Sequence, residues 1–293
     1  MRIVEPSVYL LRQAYDELSH VAQCARICYG RESGNDVATY ASLLKRNHLS
    51  MLRHETYYAA VPVSHSNGII YKVINNYMEN PYIKYFTLDD KVYIITNGNF
   101  IQDIKKSNPI LLNLIISYRI SFDEAARITY LWSHFIRYTF IVNTQISTSR
   151  ELNRVSPNNI AERSTRYVYE DGSICRPHWM SIEEANRYNI DNIVLDVKTK
   201  LYIESCKKGF DDYKTLVDDY KMHRQDARGV LPLDTLTKCA YTYSIDEWRH
   251  IIDLRYYNTT GVAHPNASII AGKIRNSLIN IGYNFRNNNN DEL

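Results

Sequence analysis

The sequence predicts a mixed chain of helices and strands, and three features carry that expectation. β-branched and aromatic runs such as Thr56–Val63, Lys91–Ile95 and Arg137–Val142 read as strands. Three Ser-x-x-Glu boxes, beginning at Ser121, Ser181 and Ser244, each open a stretch with apolar residues at helical spacing. Asn97-Gly98, Asp171-Gly172 and Pro157 among its asparagines punctuate these elements. With 293 residues, 45% of them hydrophobic and 23% charged, the chain can bury a substantial core, as one large domain or one domain with an insertion.

Taken in order, Val8–Leu11 is a short apolar run that reads as an early strand. Ser19 is placed to cap a helix carrying Val21, Cys24, Ala25 and Cys28 on one side. A second helix is expected over Val37–Arg46, followed by the strand Thr56–Val63. Ile69–Val73 and Lys91–Ile95 read as further strands, with Asn97-Gly98 as a tight-turn signal. The box at Ser121 opens a helix with Ala125, Ile128, Trp132 and Phe135 on one side, and Arg137–Val142 follows as a strand. From Tyr167 to Trp179 the chain reads as loop, turning at Asp171-Gly172. A long helical region then aligns Ile193, Val197 and Leu201, then Tyr202, Cys206, Phe210, Tyr213 and Val217, most simply as core. The box at Ser244 starts a helix with Trp248, Ile251 and Ile252 facing inward, and a last helix aligns Ile270, Ile274, Leu278 and Ile281. The asparagine-rich tail from Asn287 is expected to fray.

Composition narrows the function classes. A net charge of +3 is too mild for a nucleic-acid binder. No apolar run approaches a membrane span, and the first residues carry no signal peptide. Cys24, Cys28, Cys175, Cys206 and Cys239 are scattered, odd in number and without a Cys-x-x-Cys pair, which suits a reducing cytosol with buried free thiols. No metal site is expected. The 25 tyrosines and the plentiful Asn, Ile and Lys fit an A/T-rich genome and carry no chemistry.

Polar chemistry concentrates between Arg150 and Tyr167, where four arginines and two glutamates fall within eighteen positions. Arg150 and Arg154 share a face if helical. Guanidinium forks beside the hydroxyl of Ser164 are what a phosphate or carboxylate ligand needs. The plainer alternative is a solvated helix end with surface ion pairs. His48, Ser50 and His54, with Arg53 between them, form a second candidate group; a helix C-terminus favoured by the dipole explains them equally well. Ala227-Arg228-Gly-Val-Leu-Pro-Leu233 and Trp248-Arg-His-Ile-Ile-Asp-Leu-Arg255 are the third and fourth.

These strings resemble, in order, those of the flavin-dependent thymidylate synthases, the ThyX family. Its signature is Arg-His-Arg, seven residues, then Ser-x-Arg-Tyr; here Arg154-Val155-Ser156 is followed by seven residues and Ser164-Thr165-Arg166-Tyr167. His48, Ser50 and His54 fit its His-x-Ser/Thr-x-x-Glu-His string, with Arg53 in place of Glu. Its Ala-Arg-x-x-Leu-Pro-Leu and Trp-Arg-His-Phe-x-x-Leu-Arg strings match around Arg228 and Arg255, which stand 27 apart as the family keeps them. His264, which lies where the family's later His-containing segment would fall, reads as structural.

The resemblance implies an α+β fold, helices packed around a small antiparallel sheet, as a single domain over residues 1–293 with an inserted β-ribbon and helices at about 65–133. It implies reductive methylation of dUMP to dTMP, with FAD as cofactor, NADPH as reductant and methylenetetrahydrofolate as one-carbon donor. Arg255 would be the catalytic cation at uracil N3, and Arg228 would hold the base. Glu151, Arg154, Glu162, Arg163, Ser164 and Arg166 would complete the nucleotide site. His48, Ser50, Arg154, Val155, Ser156, Glu162, Ser244, Asp246 and His250 fall where the family meets FAD. A homotetramer with shared active sites is implied, without nucleic-acid or membrane partners. The location would be cytoplasmic, in the host cytoplasm for a virus- or phage-encoded chain. Val155 and Ser156 depart from the signature, and Glu151 stands where many members have Gln. Two alternatives follow from those departures: a flavin-dependent deoxypyrimidine-monophosphate hydroxymethylase, or a nucleotide-binding homologue without catalysis.

Overall fold

The computed structural model describes residues 1–12, 17–128, 133–194 and 196–285. Trp132 and the tail from Asn287, both given a place by the sequence, lie outside the described residues. Helices surround two antiparallel four-stranded sheets, in keeping with the α+β class.

The central sheet runs β2 (Ser7–Leu11), β7 (Arg137–Gln145), β10 (Leu236–Ser244) and β8 (Ile160–Glu162) in spatial order. β7 and β10 pair over their whole lengths, with Phe140 opposite Tyr241 and Val142 opposite Cys239. Successive side chains of a strand point to opposite faces, and here both faces are covered. Phe140, Val142, Cys239, Tyr241 and Tyr243 meet Trp248, Ile251, Ile252, Ile270 and Ile274, so α11 (Ile245–Arg255) and α12 (Pro265–Asn280) pack on one side. Ile141, Ala161 and Ala240 meet Cys24 and Ile27 of α1 (Glu17–Ile27) on the other. Trp248 anchors the first face, edge-on to Phe140 at 5.1 Å and to Tyr243 at 5.2 Å.

The second sheet runs β4 (Ile83–Leu88), β5 (Lys91–Asn97), β3 (Thr56–Pro62) and β6 (Arg119–Ile120). α3 (Ile69–Ile74), α4 (Gly98–Ser107) and α5 (Pro109–Ser117) cover it through Ile70, Ile74, Phe100, Ile104 and Leu111. A two-stranded parallel pair, β1 (Arg2–Val4) with β9 (Ser173–Cys175), carries α8 (Ile182–Asp191) and α9 (Val197–Asp218). α2 (Asp36–Lys45), α6 (Phe122–Ala126), α7 (Ile146–Leu152) and α10 (Arg224–Ala227) complete the helices used below.

Several elements differ from the sequence reading. Ile69–Val73 is helical, not extended: Gly68, at φ 72, turns the chain, and Ile70 and Ile74 bury one helical face. A short β-branched run has no period of its own, so packing decides it. Asn97-Gly98 is not a hairpin turn. Asn97 caps α4, its side chain accepting from the Phe100 N–H at 3.0 Å, and the β4–β5 hairpin turns instead at Asp89, at φ 52. Ser19 lies inside α1, which already runs from Glu17. The helix after Ser121 ends at Ala126, short of Ile128 and Phe135. Residues 173–175, read as loop, form β9. The long helical region splits at Asn192, which adopts the left-handed conformation. Its first apolar residues are not core: Val197 is 84% and Leu201 66% exposed, whereas Ile203, Cys206, Phe210 and Tyr213 are buried. Ile281, at the end of α12, is exposed too.

The cysteines are free, with all but Cys28 buried. Among the described residues no helix is long and apolar enough to cross a membrane.

Candidate functional site

The arginine-rich stretch divides into two groups that face different neighbours. α7 ends at Leu152, so Arg154 lies just past it and curls back, donating to the carbonyls of Arg150 (3.1 Å) and Asn153 (3.0 Å). Its Nη2 is 3.3 Å from Glu151 Oε2. Arg255, the last residue of α11, reaches the same carboxylate at 3.2 Å and donates from Nε to the Glu151 carbonyl at 2.7 Å. One carboxylate therefore holds two guanidiniums from distant segments. Burial and the neighbouring Arg154 pull the Arg255 guanidinium below its ordinary range, and Glu151 opposes them. Val155 packs against the central core, and Ser156 is exposed before a cis bond to Pro157.

The second group is built on the turn 164–168. Ser164 N–H donates to the Cys28 carbonyl at 3.1 Å, and the N–H groups of Tyr167 and Val168 return to the Ser164 carbonyl. Gly30, at φ +62, lets α1 end against Val168, where a Cβ would stand 3.1 Å from both methyls. Ser164 Oγ accepts from the Arg166 N–H at 3.3 Å. Arg228, from the Ala-Arg-x-x-Leu-Pro-Leu string, donates to Thr165 Oγ1 at 3.2 Å. Two strings some sixty positions apart thus bring Arg228 onto the residue that precedes Arg166. Arg224 donates to the Tyr167 carbonyl at 2.7 Å, and Arg166 to Gln225 Oε1 at 3.4 Å. Arg166, Tyr167, His223, Arg224 and Gln225 line an open cavity of about 380 Å³.

Arg163 turns away from this cavity. It pairs with the buried Glu170 at 3.1 Å. Burial pushes the Glu170 carboxyl up to about 7 despite that partner, so desolvation outweighs the pairing. Glu162 accepts from Ser149 (2.9 Å) and Thr237 (3.1 Å), tying α7 to the central sheet. No hydrogen bond or ion pair among the described residues joins the Glu151–Arg154–Arg255 group to the Arg166–Arg224–Arg228 group.

Residues predicted for the flavin fall in three places. His48 and Ser50 are exposed at the start of the 3-10 turn Leu49–His54. Ser244 caps α11 in a full capping box with Glu247, and Asp246 Oδ1 in the first turn accepts from His134 Nδ1 at 2.8 Å. His250 is exposed further along the same helix. Arg53 lies outside the arginine groups, donating to the Asn158 carbonyl at 3.0 Å with its guanidinium 4.9 Å from the Tyr82 ring.

A larger cavity, about 700 Å³, opens between the two sheets. None of the predicted nucleotide residues lines it. Its wall includes His20 and His54, whose rings join a buried chain: His20 Nε2 to Thr139 Oγ1 (2.8 Å), Thr139 to Thr242 (2.7 Å), and Thr242 to His54 Nδ1 (2.7 Å). Arg137 braces the same seam, donating to the carbonyls of Glu55, Arg53 and Thr242. Size alone favours this cavity as a binding site, but phosphate chemistry favours the smaller one with its convergent guanidiniums.

Sequence reasoning missed Arg224, His223, Gln225 and Thr165. Arg224 stood within reach of it, four positions before Arg228 and just outside the Ala227–Leu233 string; the others had no signal beyond residue type. His264 caps α12, its Nδ1 accepting from the Asn266 N–H at 3.2 Å.

Among curated proteins none matches the chain by sequence. Solved structures with a similar arrangement include a UMP/dUMP methylase, PolB, from Streptomyces cacaoi. Bound with 5-Br dUMP it is 14% identical, with 96% of this chain and 93% of that chain covered and a TM-score of 0.43. Bound with 5-Br UMP it is 15% identical, with 96% and 92% covered and a TM-score of 0.44. Thymidylate Synthase X (ThyX) from Helicobacter pylori with FAD and dUMP is 15% identical, covers 53% of this chain and 74% of that chain, and has a TM-score of 0.39. Residues 132–280, just over half of the chain and the span that holds both arginine groups, match the family described as thymidylate synthase complementing protein, and the chain belongs to that family.

Proposed function

We propose that the protein is a flavin-dependent thymidylate synthase, converting dUMP to dTMP with methylenetetrahydrofolate and NADPH. Family membership supports the reaction class. The observation that carries the reading to this chain's own residues is the placement of Arg228 on Thr165 beside Arg166. A pyrimidine monophosphate needs a cationic grip on its phosphate and a donor at its base, and Arg228, held on Thr165, together with the next residue, Arg166, offers two such cations. Arg255 supplies a further cation. Held near uracil N3 and its carbonyls, it favours the ionised ring and so raises electron density at C5. Glu151 fixes the Arg255 fork by accepting from two of its edges.

The donor set fits FAD. His48, Ser50 and His250 are exposed and make no side-chain hydrogen bond among the described residues, so their donors are available to a phosphate-bearing cofactor. Ser244 and Asp246, committed to the α11 cap and to His134, would position that helix end. A flavin held there would supply the hydride and one-carbon transfer chemistry. No protein nucleophile is needed. Cys24, Cys175, Cys206 and Cys239 are buried, and burial raises each thiol above its ordinary range.

Among the described residues of one chain no hydrogen bond or ion pair links Arg255, held on Glu151, to Arg166 or Arg228. We infer a homotetramer in which one copy's Arg166–Arg228 group faces another's Arg255. The test is turnover of dUMP with the folate donor, NADPH and FAD, with the product identified by mass. A product heavier than dUMP by one methylene-equivalent is expected. A hydroxymethyl product, or no turnover by a protein that takes up no flavin, would overturn the reading. Arg255→Ala should lower turnover by roughly 100-fold or more while flavin stays bound.

A further inference from the structure

We propose that Arg53 supplies, from the His48–His54 string, the cation that the ThyX signature carries at the position of Ser156, and that with Ser50 it grips the diphosphate of the flavin cofactor. The proposal rests on the flavin reading above and adds a residue which that reading leaves outside the site.

Two departures from the family strings meet in space. Position 53 holds Arg in place of Glu, and position 156 holds Ser in place of Arg. The two are far apart in the chain, yet Arg53 Nη1 donates to the carbonyl of Asn158, two residues past Ser156, at 3.0 Å. A guanidinium therefore still reaches this loop, carried by a different string. A Glu and an Arg at these positions would cancel. Arg53 with Ser156 leaves a positive charge uncompensated.

Arg53 is held in place. Its carbonyl accepts from Arg137 Nη2 at 2.8 Å, which ties its backbone to β7. Its guanidinium lies 4.9 Å from the Tyr82 ring. Tyr82 is fixed in turn, its N–H donating to Asn80 Oδ1 and its carbonyl accepting from Thr96 Oγ1, both at 2.9 Å. Tyr82 belongs to the inserted segment, so the insertion supplies the ring that steadies Arg53. A cation held in this way loses little freedom when a ligand arrives.

What Arg53 lacks is an anion. No carboxylate is within ion-pair distance of it among the described residues, and Glu55, two residues on, accepts from Tyr57 (2.6 Å) and Tyr40 (3.1 Å). Arg53 Nε is buried without a partner, and Nη2 makes no hydrogen bond among the described residues. Residues three apart in a 3-10 turn eclipse one another, so the exposed Ser50 stands on the same face as Arg53. A fork edge and a hydroxyl on one face suit phosphate oxygens. The Tyr82 ring, already against the guanidinium, offers no open platform for a flavin ring, which favours the phosphate end of the cofactor.

Titration calorimetry with FAD and with riboflavin, which shares the ring but lacks the phosphates, isolates this grip. Arg53→Gln should weaken FAD about tenfold or more, the size expected for a lost charge-assisted bond, and leave riboflavin unchanged. Arg53→Lys keeps a donor for the Asn158 carbonyl but not the fork, and should fall between the two; it decides the matter if the Gln variant does not fold. Adding Ser156→Arg to Arg53→Gln should bring FAD affinity back toward the wild-type value; no recovery overturns the transfer of charge between the strings. A folded Arg53 variant with the wild-type ratio of the two affinities, or one that loses both ligands by the same factor, overturns the grip and leaves the flavin reading standing. A wild-type chain that binds neither ligand overturns both.

Discussion

At the residue scale, the most constrained backbone position is Gly98. It opens α4 directly against Glu55, whose Oε2 would lie 2.0 Å from an added Cβ, with the Leu52 carbonyl at 3.0 Å. Glu55 is buried and accepts from Tyr57 (2.6 Å) and Tyr40 (3.1 Å), so it cannot swing aside freely. Gly98→Ala should therefore cost about 2–3 kcal/mol, the scale of an overpacked core, read from denaturant unfolding; a change below 0.5 kcal/mol, the usual range for a surface site, would show that Glu55 yields. Glu151 matters at the same scale for another reason. It holds both Arg154 and Arg255, so Glu151→Ala should release the fork of Arg255 and lower turnover more than it lowers dUMP affinity. An equal fall in both would mean that Glu151 serves only to bind.

At the element scale, three capping boxes bear on stability and allow one of them to be tested for function. Ser121, Ser181 and Ser244 each accept from the backbone N–H three residues on, while Glu124, Glu184 and Glu247 reach back. Ser181→Ala removes a cap far from any predicted site and should cost about 1 kcal/mol. Ser244→Ala should cost a similar amount. If Ser244 also positions α11 for the flavin, its variant should lose flavin affinity and Ser181→Ala should not, which absorbance titration would resolve. Helix α3 illustrates the limit of reading at this scale. Ile69–Ile74 has strand-like composition, yet one glycine in the left-handed region and one buried face make it helical.

At the scale of the whole molecule, the seam between the two sheets is polar, and this makes stability depend on pH. His20 and His54 are buried and joined through Thr139 and Thr242. Burial chiefly, with Arg137 and, for His54, His20 adding repulsion, lowers His20 to about 4 and His54 to about 3. In the unfolded chain both rings protonate near the ordinary value of 6.5. Below that pH the unfolded state binds more protons than the folded one, so stability falls as pH falls. The stabilisation is fully present above about 6.5 and is lost progressively down toward pH 4 and below. Each unit of depression is worth about 1.4 kcal/mol, so the acid limb should be steep. His54→Gln should flatten it; an acid limb unchanged in that variant would place the titrating group elsewhere. The same seam ties β7 of the central sheet to β3 of the second through Arg137, so the two sheets should unfold together in one transition.

The sequence by itself determined the starts of the three helices opened by capping boxes, two strands of the central sheet, β2 and β7, and the order in which the strings around Arg154, Arg166, Arg228 and Arg255 follow one another; β8 and β10 of that sheet came from the structure. Those are local matters: a cap needs only residues three apart, and alternation needs only one strand. Which arginines are free for a ligand was decided by tertiary structure alone. Arg163 and Arg166 sit three positions apart in one string, yet one meets Glu170 and the other a cavity without a carboxylate. Charge pairing depends on what the fold brings within about 4 Å, and that distance is set by segments remote in the chain.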